Sequence, residues 1–295
     1  MSLVEKSQKI EPSNGQNNTH LKLLSFNIQV GIATSRYRHY LTQSWKHVLP
    51  HAKCFENLDR IAQLSRHFDI VALQEVDSGS FRSNFVNQIE YLANKAHFPF
   101  WYNQVNRNLG KLAQHSNGLL SRIKPDKIIE HKLPGLVPGR GVMEVRYGRA
   151  KDPLVLLLVH LGLGKNARVR QLEYIANLVN QYNHVIVMGD FNCQAISHEI
   201  DTLIQKTHLC EPADDLLTFP SWRPLKNIDH ILVSPSINIH KIEVIRETVS
   251  DHLPIMVDIL VPDCIAKHWH EQNIYSTKKE KIIGAESESK NNMCF

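Results

Sequence analysis

The sequence predicts an α/β fold in which two sheets pack face to face with helices outside. Three observations carry this. Apolar runs of strand length alternate with only a few stretches of helical period, several strands follow one another through short turns, and polar residues recur where apolar strands end. A doubly wound parallel sheet would need a crossover helix between most strands, and the chain has too few.

The chain has 295 residues, 42% of them hydrophobic, enough to bury a large core. One domain over residues 21–262 is expected, between a polar lead-in at 1–20 and a charged tail at 263–295. A formal charge of +5 favours an anionic partner without proving one. Five cysteines, odd in number and without CxxC spacing, imply neither a disulfide framework nor a zinc cluster. No apolar run approaches a membrane span and the first residues do not read as a signal peptide, so a cytoplasmic setting is expected.

The first strand, from residue 21, ends at Asn27. Residues 31–53 follow without a period but interleave cations with aromatics (Arg36, Tyr37, Arg38, Tyr40, Trp45, Lys46). That composition suits stacking on bases, docking on anionic lipid headgroups, or a solvated loop over a sheet edge. Helical spacing over 55–68, with Asn57 as a possible cap, leads to a buried strand over 70–76. Glu75 ends that strand, where a carboxylate needs a buried arginine or a metal to offset desolvation.

A helix near 84–96 and a strand and turn over 100–110 lead to His115-Ser116-Asn117-Gly118-Leu119-Leu120-Ser121. There Asn117-Gly118 is either a tight turn or a polar contact for substrate. Strands follow at 127–133, 141–147 and 154–160, with a loop at 134–141 that leaves Arg140 free to reach an anion. The third is apolar throughout and stops at His160.

The helix over 166–182 feeds the strand that ends in Gly189-Asp190-Phe191-Asn192, placing a carboxylate and a carboxamide two residues apart. Cys193 beside them fits no nucleophile pattern. A short helix over 198–207 and a Pro-bounded loop over 218–224 precede a strand carrying Asp229. Another strand runs over 237–245. Asp251 and His252 stand just before the last strand, 255–261.

Asn27, Glu75, His160, Asp190, Asn192, Asp229, Asp251 and His252 therefore form a set of four carboxylates, two carboxamides and two imidazoles with no thiolate. Such a hard, oxygen-rich set suits Mg²⁺ or Mn²⁺. A metal of this kind stabilises phosphoryl charge while a carboxylate takes a proton from water, so phosphoester hydrolysis is the expected chemistry.

In order, Ser25-Phe26-Asn27, Leu73-Gln74-Glu75-Val76, Asn117-Gly118-Leu119-Leu120-Ser121, Val159-His160-Leu161, Gly189-Asp190-Phe191-Asn192, Ile228-Asp229-His230-Ile231-Leu232 and Ser250-Asp251-His252-Leu253-Pro254 resemble the motifs of the endonuclease/exonuclease/phosphatase superfamily. The resemblance spans residues 21–261 and implies a four-layered α/β/β/α sandwich of two mixed sheets flanked by helices, with the site at one rim. It implies Glu75 as the principal metal ligand, with Asn27 in support and Asp251 as a second acid nearby. Asp190 would orient or deprotonate water, Asn192 would hold the phosphate, His252 would contact a phosphate oxygen and Asp229 would orient His252. His160 would aid phosphate stabilisation or leaving-group protonation, and Asn117 would be a further phosphate contact.

The inositol phosphatases' Pro-Ala-Trp-Cys-Asp-Arg pattern and the repair endonucleases' asparagine-glycine start are absent. Val159-His160-Leu161-Gly162-Leu163-Gly164 with Arg170-Gln171-Leu172 looks more like bacterial hydrolases that shade into a sphingomyelinase-like branch. The expectation is a divalent-metal phosphodiesterase acting on nucleic acid or a phospholipid headgroup, with possible peripheral contact with anionic surfaces and no obligate protein partner. A phosphomonoesterase for inositol or nucleotide phosphates, or an inactive binding module, are the alternatives.

Overall fold

In the computed structural model, the described residues are 19–31, 51–80, 83, 85–108, 114–135, 139–148, 151–213, 216–263, 265–267 and 269. The basic aromatic segment at 32–50, the lead-in through residue 18 and the tail beyond 270 lie outside them. The six-stranded sheet has the order β10-β11-β1-β2-β4-β3 and the five-stranded sheet the order β5-β6-β7-β8-β9. The first comprises β1 (His20–Asn27), β2 (Ile70–Asp77), β3 (Phe100–Asn108), β4 (Gln114–Ser121), β10 (Asn238–Val244) and β11 (Ile255–Leu260). The second comprises β5 (Lys127–Lys132), β6 (Gly141–Tyr147), β7 (Leu154–His160), β8 (His184–Asp190) and β9 (Asp229–Val233). Helices α1 (His51–Ser65) and α2 (Gln88–Ala96) cover the first sheet; α3 (Lys165–Val179) and α4 (His198–Lys206) cover the second.

The alternation of side chains along each strand produces these layers. On β1 and β2, Leu23, Ile70 and Ala72 face inward with Leu156, Leu158, Ile186 and Met188 of the opposite sheet. Their neighbours Leu24, Phe26, Val71 and Leu73 face outward against Leu58, Ile61 and Leu92 of the helices. β7 is buried along its whole length because an apolar layer covers each face. This is the four-layered sandwich.

Element boundaries differ from the periodicity by a few residues, and two local expectations are corrected. Asn57 does not cap α1: it lies inside the helix, where its Nδ2 donates to the Gly31 carbonyl at 2.9 Å. Asn117-Gly118 is not a turn but part of β4, and the missing Cβ of Gly118 admits Ile89, which a methyl there would meet at 1.8 Å.

Both sheets place their parallel pairs, β1–β2 and β7–β8, with carboxyl ends at one end of the molecule. β9 runs antiparallel to β8 with Asp229 opposite Asp190, so its amino end lies there too. The β10–β11 connection, holding Asp251 and His252, returns at the same end.

Candidate active site

Strand geometry delivers polar side chains to one buried pocket from both sheets. Asn27 Nδ2 donates to Asp190 Oδ2 at 3.0 Å, tying β1 to β8 across the interface. Asn27 Oδ1 accepts from the Gln29 amide at 3.1 Å, which fixes the carboxamide. Ser250 Oγ donates to the Asn27 carbonyl at 2.7 Å, attaching the β10–β11 loop to the same point.

Glu75 sits where the β2–β4 register shifts and adopts φ 54°. A left-handed conformation in a bulge is costly for a non-glycine residue and marks sites where a side chain is re-aimed. Its side chain keeps 30% exposure at the pocket, with His160 Nε2 at 3.7 Å from Oε1. Asn192 shares the feature at φ 53°. Its amide donates to Asp190 Oδ1 at 2.9 Å and its Nδ2 to the Leu161 carbonyl at 3.1 Å, so the Asp190–Asn192 turn holds itself and the neighbouring strand. Gly189 makes the approach possible: at φ 145°, a Cβ would lie 1.9 Å from the Val159 carbonyl oxygen.

Asp229 Oδ2 lies 2.8 Å from His252 Nδ1 and accepts from Thr218 Oγ1 at 2.5 Å. The Phe219 ring packs on the imidazole with centroids 5.0 Å apart. The other ring nitrogen, Nε2, faces Asp190 Oδ2 at 3.9 Å. Thr218, Phe219 and Ser250 thus hold the site although the sequence reading gave them no role there. Only the rigidity of the Pro-bounded loop over 218–224 hinted at the first two.

The electrostatics follow from burial and these pairs. Burial raises Asp190, further pushed by Asp229 and Glu75 and opposed by His252, to about 7. Burial opposes the charge on His252, but the Asp229 carboxylate beside it, with Asp190 and Asp251, prevails and pushes it up to about 10. Burial and the adjacent Arg140 hold His160 well below the ordinary histidine range. Asp251 is raised by burial and by Glu75. Mutually opposed carboxylates in a desolvated pocket are the situation a divalent cation relieves.

Arg140 corrects the sequence expectation of a free arm. Its Nη1 lies 2.8 Å from each ring nitrogen of His160, and it is half-buried over Glu75 and Asp190. Asn117 is buried, and its Nδ2 donates to Gln104 Oε1 at 3.4 Å and the Gly141 carbonyl at 3.2 Å. Its amide hydrogens therefore face the protein and bridge the two sheets.

The family profile described as Endonuclease/Exonuclease/phosphatase family matches residues 24–252, the span from Leu24 within β1 through His252. The chain belongs to this endonuclease/exonuclease/phosphatase family. Solved structures agree on the fold. An endonuclease/exonuclease/phosphatase of Beutenbergia cavernae superposes with TM-score 0.63 at 17% identity, over 82% of this chain and 72% of that one. A mannosyl-6-phosphatase of Bacteroides thetaiotaomicron gives 0.60 at 19%, over 82% and 100%. A humanized TDP2 of D. rerio gives 0.58 at 16%, over 82% and 99%. No curated protein matches the sequence significantly.

Family members are hydrolases of phosphoesters and usually depend on a divalent metal, and the pocket meets that description in its donor set. Ligand-type atoms of Asp190, Asp229 and His252 lie within 4.8 Å of one another. The 2.8 Å bond between Asp229 and His252 occupies a ring nitrogen and a carboxylate oxygen, so this trio reads as a hydrogen-bonded relay rather than an open ligand set. Glu75, which makes no hydrogen bond among the described residues, and Asp251 leave carboxylate oxygens for a cation. Among the described residues no helix is long and apolar enough to cross a membrane.

Proposed function

We propose that the protein is a divalent-metal-dependent hydrolase of phosphodiester bonds. The observation that carries this reading is the pairing of two unlike proton sites in one buried pocket. Asp190 is raised to about 7 and His252 to about 10 across a 3.9 Å gap. Near neutral pH the first is able to take a proton while the second stays charged, which is the division of labour that hydrolysis of an anionic ester needs.

Glu75, with Asn27 and Asp251 nearby, would hold Mg²⁺ or Mn²⁺. Such an ion supplies charge stabilisation to the phosphoryl oxygens and the leaving oxygen. The protein's own groups do the rest. Asp190, oriented by Asn27 and the Asn192 amide, accepts the proton of the attacking water. Cationic His252, fixed by Asp229, donates a hydrogen bond to a phosphate oxygen. Asn192 offers its remaining amide hydrogen to the same group. His160, neutral and seated between Arg140, Asp190 and Glu75, steadies the phosphate or the leaving oxygen. Arg140 adds fixed positive charge beside the phosphate. Asn117 supports from beneath by joining the sheets and need not touch substrate.

The whole polar set lies in one pocket, with Asn27, Asp190, Asn192, Asp229 and His252 fixed by hydrogen bonds, which argues against an inactive binding module. Chelated protein should hydrolyse neither bis-p-nitrophenyl phosphate nor p-nitrophenyl phosphate, and added Mg²⁺ or Mn²⁺ should restore the diester reaction preferentially. Preference for the monoester would favour a phosphatase, the activity named in the Bacteroides mannosyl-6-phosphatase that shares the fold. Turnover unaffected by chelation would remove the metal from the account.

A further inference from the structure

The exposed large apolar side chains are not scattered. Among the described residues there are seven, and all lie at the end of the molecule that carries the site. Phe85 follows β2, and Val105 stands near the end of β3. Leu163 follows β7, and Val169 lies in the second turn of α3. Ile196 follows β8, while Leu217 and Leu225 belong to the loop before β9. Single exposed apolar residues are ordinary on any surface, but confinement to one rim is not. Leu163 is 77% exposed, Ile196 83% and Leu225 61%.

Exposed cations stand on the same loops. Lys165 is two residues from Leu163, and Arg223 and Lys226 flank Leu225. None of the three forms an ion pair among the described residues. Exposed aliphatic tips interleaved with unpaired cations have the composition of a surface that lies in the headgroup region of a membrane. A nucleic acid would use the cations, but it takes up leucine or isoleucine as single wedges between unstacked base steps, not as aliphatic tips spread around a rim.

We propose that this rim docks on an anionic phospholipid bilayer and presents the pocket to a headgroup phosphodiester. The docking stands on the rim alone, while the headgroup reaction rests on the phosphodiesterase reading above. In that reaction the water oxygen bonds to phosphorus, one ester P–O bond breaks, and the departing alcohol oxygen ends with a proton from the water.

The test uses the full chain, sedimented with vesicles of phosphatidylcholine containing one-third phosphatidylglycerol, beside pure phosphatidylcholine vesicles and plasmid DNA. The wild type should sediment with the mixed vesicles and less with the neutral ones, and should release headgroup from the vesicles it binds. A Leu163→Asp/Leu225→Asp double variant, altered only at exposed tips, should lose vesicle partition by about tenfold or more, the scale of removing buried aliphatic side chains. Its turnover of soluble bis-p-nitrophenyl phosphate should match the wild type. Equal sedimentation of the two proteins, or a wild type that retards DNA and ignores vesicles, would overturn the docking. Bound vesicles whose lipids stay intact would overturn the headgroup assignment. Failure to cleave the soluble diester would strike the phosphodiesterase reading alone, because sedimentation needs no catalysis.

Discussion

At the scale of single residues, the pocket is a set of unlike environments imposed on ordinary side chains. His252 owes its charge to Asp229, whose carboxylate is itself fixed by Thr218. Asp229→Asn should therefore leave the imidazole in place but lower its pKa from about 10, moving the basic limb of the pH–rate profile to lower pH. A basic limb that does not move would separate Asp229 from the charge on His252. His252→Ala should cost about 10²–10³-fold in kcat, the usual effect of removing one preorganised donor to a developing oxyanion. As candidates these residues were legible from the strand edges, because a carboxylate or imidazole bordering an apolar run needs a reason to be there. Their supports were not. Thr218, Phe219 and Ser250 act through a loop packing that no local period encodes, and Arg140 read as a free arm because its contact with His160 depends on β6 lying beside β7.

At the scale of elements, the turn after β8 is the most constrained piece of backbone in the site. Gly189 stands at φ 145° with Val159 oxygen where a Cβ would be, and Asn192 takes a left-handed conformation three residues on. Gly189→Ala should lower stability by about 2–4 kcal/mol, combining overpacking with strained backbone, read as the midpoint of urea unfolding. Stability within 0.5 kcal/mol of wild type, a margin usual for surface changes, would mean that the strands part easily there. Apolar runs and helical spacing showed almost every element, since burial on one or both faces sets the period. Boundaries slipped where capping comes from tertiary structure: Asn57 read as a helix cap but anchors the turn at Gly31 from inside α1.

At the scale of the whole molecule, folding gathers Glu75, Asp190, Asp229 and Asp251 at one end without compensating all of them. The linkage has a definite sign. Asp190 is raised from 3.8 to about 7, so its stabilising protonated form is fully available below pH 3.8 and its contribution is lost as pH rises through 7. His252 is raised from 6.5 to about 10, so its contribution is complete below pH 6.5 and lost as pH rises through 10. Chelated protein should thus lose these contributions progressively between about pH 4 and 10, and Mg²⁺ should raise Tm most above pH 7, where Asp190 is ionised. Glu75→Gln should reduce that metal-dependent rise, since a ligand stabilises only through its affinity for the folded state. A Tm that ignores Mg²⁺ at pH 8 would contradict the proposed cation site. The layered architecture was legible because two sheets with few helices have few ways to cover four faces. The rim was not, because exposed leucines far apart in sequence become one surface only when the strand ends are brought together.

The most direct measurement is steady-state hydrolysis of bis-p-nitrophenyl phosphate at neutral pH by the wild type, Asp190→Asn and His252→Ala, each with Mg²⁺, with Mn²⁺ and with chelator. Metal-dependent turnover by the wild type is expected, with a loss of about 10²-fold or more in each variant and folded structure retained. Turnover that survives either substitution, or a wild type inactive with both metals, would contradict it.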